Sequence, residues 1–206
     1  MHYMLLGVPS NLETERLLLR PYKPGDGQWL HKIFQENITH LEEAIVGVKT
    51  GFGLDLTNST EAEIFVRQLE ADWVARKRFI FGIWEKAANL YIGNIWVESQ
   101  DWDVPMHEIG YFLVKDQMGK GFATEATKAA LVFVFKHLKS NKASLTCDED
   151  NKSAYGVAER CGFVREGCLR GQVNRKDGTL VGKLCYGMLR TEFETLNWVV
   201  AAPNYE

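Results

Sequence analysis

Residues 107–126, HEIGYFLVKDQMGKGFATEA, constrain this chain more than any other segment. His107 to Val114 read as a strand, Gly119-Lys120-Gly121 as a turn, and a helix begins at about Phe122. The first N–H groups of a helix have no partner within it, and the helix dipole places partial positive charge there. Glycines just before such an end let the backbone approach an anion with no Cβ in the way. A pyrophosphate fits that arrangement. A lone Gly-x-Gly is weak evidence, because many strand-to-helix turns bind nothing. The P-loop pattern G-x-x-x-x-G-K-[ST] is absent. The Rossmann fingerprint needs glycine or alanine where this chain has Thr124, and it needs a βαβ unit where an antiparallel hairpin precedes the turn.

The remaining pattern is mixed. Arg16 to Arg20 read as a strand stopped by Pro21, and Gly27 to Phe34 as a short helix. Residues 35–58 read as loop-rich. Thr60-Glu61-Ala62-Glu63 has the form of a capping box, opening a helix to about Lys77 with Ala62, Phe65, Leu69 and Trp73 on one face. Residues 79–85 and 91–98 read as a hairpin turning at Lys86 to Asn89. After the glycine turn the helix is expected to reach Lys139. The run LVFVF at 131–135 is assigned to it because Ala126, Ala129, Ala130 and Phe133 keep the helical period. Ala143 to Asp148 read as a strand, Ala154 to Cys161 as a helix closed by Gly162, and 163–170 with 180–190 as a last antiparallel pair. This order lacks the strict alternation of a doubly wound sheet.

Composition narrows the function. The 206 residues are 46% hydrophobic and 25% charged, enough for a full core in a single domain. A formal net charge of −3 offers no basic face for nucleic acid. No apolar run approaches the ~18 residues of a membrane span. The opening MHYMLLGVPS is too short and too poorly charged for a signal peptide. The four cysteines, at 147, 161, 168 and 185, form no Cys-x-x-Cys pair, which predicts reduced thiols in a cytoplasmic protein and no metal site.

Four segments in order resemble the GCN5-related N-acetyltransferase (GNAT) family, and within it the ribosomal-protein N-terminal branch of RimJ and RimL type. They are ETERLLLRPY at 13–22, YIGNIWV at 91–97, EIGYFLVKDQMGKGFATEA at 108–126 and DEDNKSAYGVAERCGFVREG at 148–167. The resemblance covers about residues 12–192 and implies one acetyltransferase domain over 1–206. The implied fold is α/β (α+β): a mixed, mostly antiparallel twisted sheet of about seven strands, with helices on both faces and a splayed cofactor cleft between strands 107–114 and 143–148. It implies acetyl-CoA as co-substrate, with pantetheine against the backbone of Phe112, Leu113 and Val114. The pyrophosphate would lie on the N–H groups of Gly119, Lys120, Gly121, Phe122, Ala123 and Thr124, with Asn151 and Ser153 on the pantetheine side. Met118 stands where the family usually has Gln or Arg. Ala158 stands where some members have a tyrosine acid, and Ala154 where a Rim-type serine is expected, with Ser153 displaced by one. A homodimer is compatible with the resemblance.

The expected reaction is direct attack of an amine on the acetyl thioester, with neither a covalent enzyme intermediate nor a metal. Glu108 is the candidate base, set against a structural salt bridge or a solvated side chain. A backbone N–H near Leu113 or Val114 would meet the oxyanion. His107 alternates to the opposite face from Glu108, and Cys147 reads as a core thiol. Tyr155 is a weak substitute acid, and Lys120 is either a phosphate contact or an exposed turn residue. Glu36, Glu42, Glu43 and Asp55 lie in the segment where the family builds its acceptor pocket. Three readings of function stay open: acetylation of a protein N-terminus, which is preferred, acetylation of a small amine such as a polyamine, amino acid or aminoglycoside, and a non-catalytic acyl-CoA-binding module.

Overall fold

Leu17 and Leu19 are wholly buried while Leu18 between them is not. That alternation builds the first full strand of a computed structural model describing residues 2–37, 54–175 and 177–200. Strand β1 (Leu12–Glu13) pairs antiparallel with β2 (Leu17–Pro21), and β2 with β3 (Arg78–Glu85), Leu19 lying opposite Ile83. Strands β4 (Leu90–Asp101), β5 (Met106–Leu113), β6 (Lys142–Asp148), β7 (Val164–Asn174) and β8 (Leu180–Leu189) complete a sheet in the order β1-β2-β3-β4-β5-β6-β8-β7. The expected mixed sheet is present with eight strands rather than seven. The extra one is the two-residue β1, too short to show a period.

Two compact units share this sheet, and β4 and β5 run from one into the other. The first comprises Ser10–Trp96 and Tyr111–Phe122. Its helix α1 (Gly27–Glu36) buries Leu30, Ile33 and Phe34 at helical spacing. Asp26, just before it, takes a bidentate pair from Arg20 at 2.6 and 3.1 Å. Helix α2 (Ser59–Val74) buries Ala62, Phe65, Val66 and Leu69, and these join Tyr22, Trp84, Tyr91 and Phe112 in one core.

The expected capping box at Thr60 is not formed. The cap is Asn58, whose Oδ1 accepts from the N–H groups of Thr60 and Glu61 at 3.0 and 3.1 Å. Glu63 turns instead to the N–H groups of Gly25 and Gly27 and to Arg67 Nε at 3.0 Å. Its carboxylate serves the first turn of the neighbouring helix, a tertiary demand that outweighs the local motif. The helix also stops at Val74, three residues before Lys77.

The second unit holds the chain up to Pro9, Val97–Gly110 and everything from Ala123. Helix α3 (Phe122–Val132) does not reach Lys139 as a regular α-helix, because Phe133–His137 widen into a π turn. The carbonyl of Phe135 in that turn accepts from Arg190 at 2.9 Å, and Arg190 also donates to Ser140 O. Phe135 stacks on Phe193 at 4.7 Å. Residues 131–135 are all buried, so the strand-like run is a helix enclosed on every side. Strand β6 pairs along its whole length with β8, but parallel with β5 only from Met106↔Lys142 to Glu108↔Ser144. Helix α4 (Lys152–Cys161) starts two residues earlier than expected and ends at Gly162, with φ +96°. Two short helices, α5 (Arg190–Phe193) and α6 (Asn197–Val200), follow β8.

Candidate active site

In the first unit, a single 3-10 turn, Lys115–Gln117, separates β5 from the glycine turn. Gly119 and Gly121 adopt φ +75° and +83°, a left-handed conformation that side chains other than glycine enter at a cost. A Cβ on Gly119 would meet nothing within 4 Å, so the turn is open there, whereas one on Gly121 would lie 3.4 Å from Arg16 Nη2. Lys120 directs its amine to Gln117 Oε1 at 2.9 Å, and Met118 is half exposed. Phe122 is buried and opens α3.

Just upstream, Gly93 on β4 has φ +153°, and a Cβ there would lie 2.2 Å from the carbonyl oxygen of Phe112. Only glycine allows β5 so close. Val114 gives its N–H to Ile92 O at 2.9 Å and receives Gln117 N–H on its carbonyl at 3.0 Å. Both of its main-chain groups are therefore engaged inside the protein.

In the second unit, Glu108 sits at the last parallel pair of β5 and β6 and is partly buried. Its Oε1 accepts from Thr146 Oγ1 at 2.9 Å and its Oε2 from Gln100 Nε2 at 3.2 Å. Both partners are neutral, so the carboxylate is oriented without being paired to a cation among the described residues. His107, on the opposite face, has no exposed surface. Its Nδ1 shares a hydrogen bond with Ser140, its ring meets that of Trp102 edge to face with centroids 4.8 Å apart, and Nε2 has no partner among the described residues. Burial pulls its pKa down to about 4, so it is neutral at physiological pH.

Asn151 caps α4, its Oδ1 accepting from Ala154 N at 3.1 Å and from Ser153 Oγ at 2.8 Å. The Ser153 hydroxyl is thus turned onto Asn151. Burial raises the Cys147 thiol to about 11, which leaves almost no nucleophilic thiolate near neutrality. Ala158 is buried, and Tyr155 is partly buried. Glu36 faces Lys32 at 4.0 Å, and Asp55 accepts from Thr57 within its own turn. Glu42 and Glu43 lie outside the described residues, as does most of the 35–58 segment. Among the described residues no His, Cys, Asp and Glu cluster has the form of a metal site, and no helix is long and apolar enough to cross a membrane.

Sequence reasoning missed three side chains beside these positions. Arg16 donates to the carbonyl of Lys120 at 3.0 Å, from 104 residues away. Arg160 Nε donates to Thr124 Oγ1 at 3.3 Å in the first turn of α3. Arg175 bridges Asp148 and Asp150 ahead of the Asn151 cap. All three are long-range, and none carries a local spacing signal.

The fifth strand of a mixed sheet thus runs through a twin-glycine turn into a helix. Residues 16–164 match the family described as acetyltransferase (GNAT) domain, and the chain belongs to that family as an acetyltransferase. YdaF of Bacillus subtilis (strain 168), provisionally named a ribosomal N-acetyltransferase, is 26% identical over 187 residues, covering 88% of this chain and 95% of that protein. RimJ of Mycobacterium smegmatis, solved in complex with a CoA-disulfide, superposes with a TM-score of 0.76 at 22% identity over 96% of this chain and 92% of that one. The microcin C7 self-immunity acetyltransferase MccE, solved with acetyl-CoA and AMP, gives 0.73 at 22% identity over 88% and 97%. At these identities the two structures establish the fold.

Proposed function

We propose that this chain is a cytoplasmic N-acetyltransferase that moves an acetyl group from acetyl-CoA to a protein N-terminal α-amine, through one acetyltransferase domain with its core at about residues 12–192. The observation that carries the reading is the turn at Gly119 to Gly121. Two left-handed glycines feed a helix start, and the turn is open at Gly119. That is a main-chain anion site of the kind a diphosphate needs. The residues present fit the group. Gly119, Lys120, Gly121, Phe122, Ala123 and Thr124 supply the N–H groups. Within the second unit, the side-chain NH2 of Asn151 has no acceptor among the described residues, since Oδ1 alone is engaged as the cap. Phe112 and Leu113 would line the pantetheine arm, because the Val114 main chain is already engaged.

Acetyl-CoA, when bound, supplies the acetyl group as an activated thioester. The protein's own task is then to deprotonate and orient the amine. An α-amine has a pKa of roughly 7.7–8.0, so it is partly neutral at physiological pH and needs only a modest base. Glu108, with both oxygens already oriented by Thr146 and Gln100, is that base, directly or through a water. The names of the relatives favour a ribosomal-protein N-terminus as acceptor. The test is thiol release from acetyl-CoA with a panel of N-terminal peptides, polyamines, amino acids and aminoglycosides. Turnover on free-N-terminus peptides that is abolished by prior N-terminal blocking supports the reading. Turnover only on small amines refutes the acceptor, and failure to bind CoA refutes the reading altogether.

A further inference from the structure

We propose that Arg16 is a positioning residue for the diphosphate site, aiming the Gly121 amide by holding the other end of the same peptide group. The inference rests on the acetyl-CoA reading above and adds to it a side chain that the main-chain motif does not contain. The carbonyl of Lys120 and the N–H of Gly121 belong to one peptide plane and point in opposite directions. Arg16 takes that carbonyl at 3.0 Å. With the oxygen held on the Arg16 side, the Gly121 N–H faces the other way.

Without that hold the peptide has an alternative. Rotating the plane changes ψ of Lys120 and φ of Gly121, and glycine pays no steric penalty for either sign of φ. The flipped peptide would present an oxygen where the anion requires a hydrogen. The conformational freedom that lets the turn approach a phosphate is therefore also its weakness, and Arg16 removes it.

The rest of the geometry suits a fixed clamp. The guanidinium carbon lies 4.5 Å from the centre of the Phe122 ring, so the same side chain packs on the first residue of α3. A Cβ at Gly121 would come within 3.4 Å of Arg16 Nη2, which places the guanidinium directly against the turn. Arg16 is itself anchored at the head of β2, its carbonyl accepting the Lys86 N–H at 2.9 Å. A planar donor fork stacked on a ring and bonded to a carbonyl is a task for arginine, and a lysine amine reproduces only the hydrogen bond.

The test compares the parent with Arg16→Met, Arg16→Lys and Phe122→Leu. Binding of CoA, dephospho-CoA and pantetheine is measured by calorimetry, together with steady-state kinetics and a thermal melt. Arg16→Met is expected to weaken CoA and dephospho-CoA alike by about tenfold, the scale of one hydrogen bond to a charged donor. Pantetheine, which has no diphosphate, should bind as it does to the parent. KM for acetyl-CoA should rise with kcat unchanged at saturation. Arg16→Lys and Phe122→Leu, each keeping half the clamp, should fall between parent and Arg16→Met. These two variants carry the test if the methionine variant melts before assay temperature. Unchanged CoA affinity in the folded variants, or an equal loss for pantetheine, overturns the proposal while leaving the acetyl-CoA reading intact. A parent protein that binds no CoA overturns both.

Discussion

Acidification should destabilise this protein through one buried imidazole. His107 has no exposed surface, and its Nε2 finds no partner among the described residues. Protonation would place a charge and an extra N–H where nothing receives them. Its pKa accordingly falls from 6.5 to about 4 in the folded chain. Between those values the unfolded chain binds the proton and the folded chain does not, so stability falls as the pH falls. The contribution is complete above pH 6.5 and is lost progressively toward pH 4. Linkage for such a shift gives a loss of about 2 kcal/mol by pH 5, and about 3 kcal/mol once both states are protonated. For a chain of this size that is a drop of about 4–8 °C in melting temperature between pH 8 and pH 5. Carboxylates titrate in the same range, so the quantity to read is the difference between the parent and His107→Gln, which cannot take up the proton. Thermal melts from pH 8 to pH 4.5 should show the parent losing this increment and the variant losing about 2 kcal/mol less at pH 5, whatever their absolute stabilities. Parallel curves would show that His107 keeps an ordinary pKa and that the buried, partnerless Nε2 has been misread.

Three further outcomes follow from particular contacts. Glu108→Gln should lower kcat by about 10²-fold at pH 7, and the deficit should narrow toward pH 9 as the α-amine deprotonates unaided; a pH-rate profile checks both. Asn58→Ala should cost about 1 kcal/mol in urea unfolding, whereas Thr60→Ala should stay within a few tenths, because the cap belongs to Asn58. Gly93→Ala should cost about 2–3 kcal/mol in the same assay, since its Cβ would meet the Phe112 carbonyl oxygen at 2.2 Å.

How far the fold was legible follows the range of the forces involved. Strands β2 to β8 announced themselves through local alternation or apolar runs, because a residue's side of the sheet is set by its immediate neighbours in the chain. Gly162 was readable as a helix end for the same reason, and its φ of +96° is the local requirement that only glycine meets easily. The misreading at Thr60 shows where this stops. The motif was complete in the sequence, yet Glu63 had a better offer from the N–H groups of Gly25 and Gly27, 38 and 36 residues away. The π turn at Phe133 was invisible for a similar reason: Arg190, which donates to the Phe135 carbonyl, lies 55 residues downstream.

The same distinction divides the two halves of the proposed reaction. A diphosphate site made of main-chain N–H groups needs only glycines and a helix start in succession. Six residues in a row, Gly119 to Thr124, therefore suffice to suggest it, and identical chemistry can be offered by relatives of low overall identity. A base is different, because a carboxylate on a strand is common and becomes a candidate only through what orients it. For Glu108 those groups are Gln100, eight residues before it, and Thr146, thirty-eight after it. Acceptor choice needs still more, a set of side chains assembled from separate segments, so it can diverge while the cofactor turn is kept. On this argument, exchanging Glu108's partners should alter amine turnover and leave CoA affinity alone, while Arg16 should do the reverse. The two perturbations separate what the backbone does from what the side chains do.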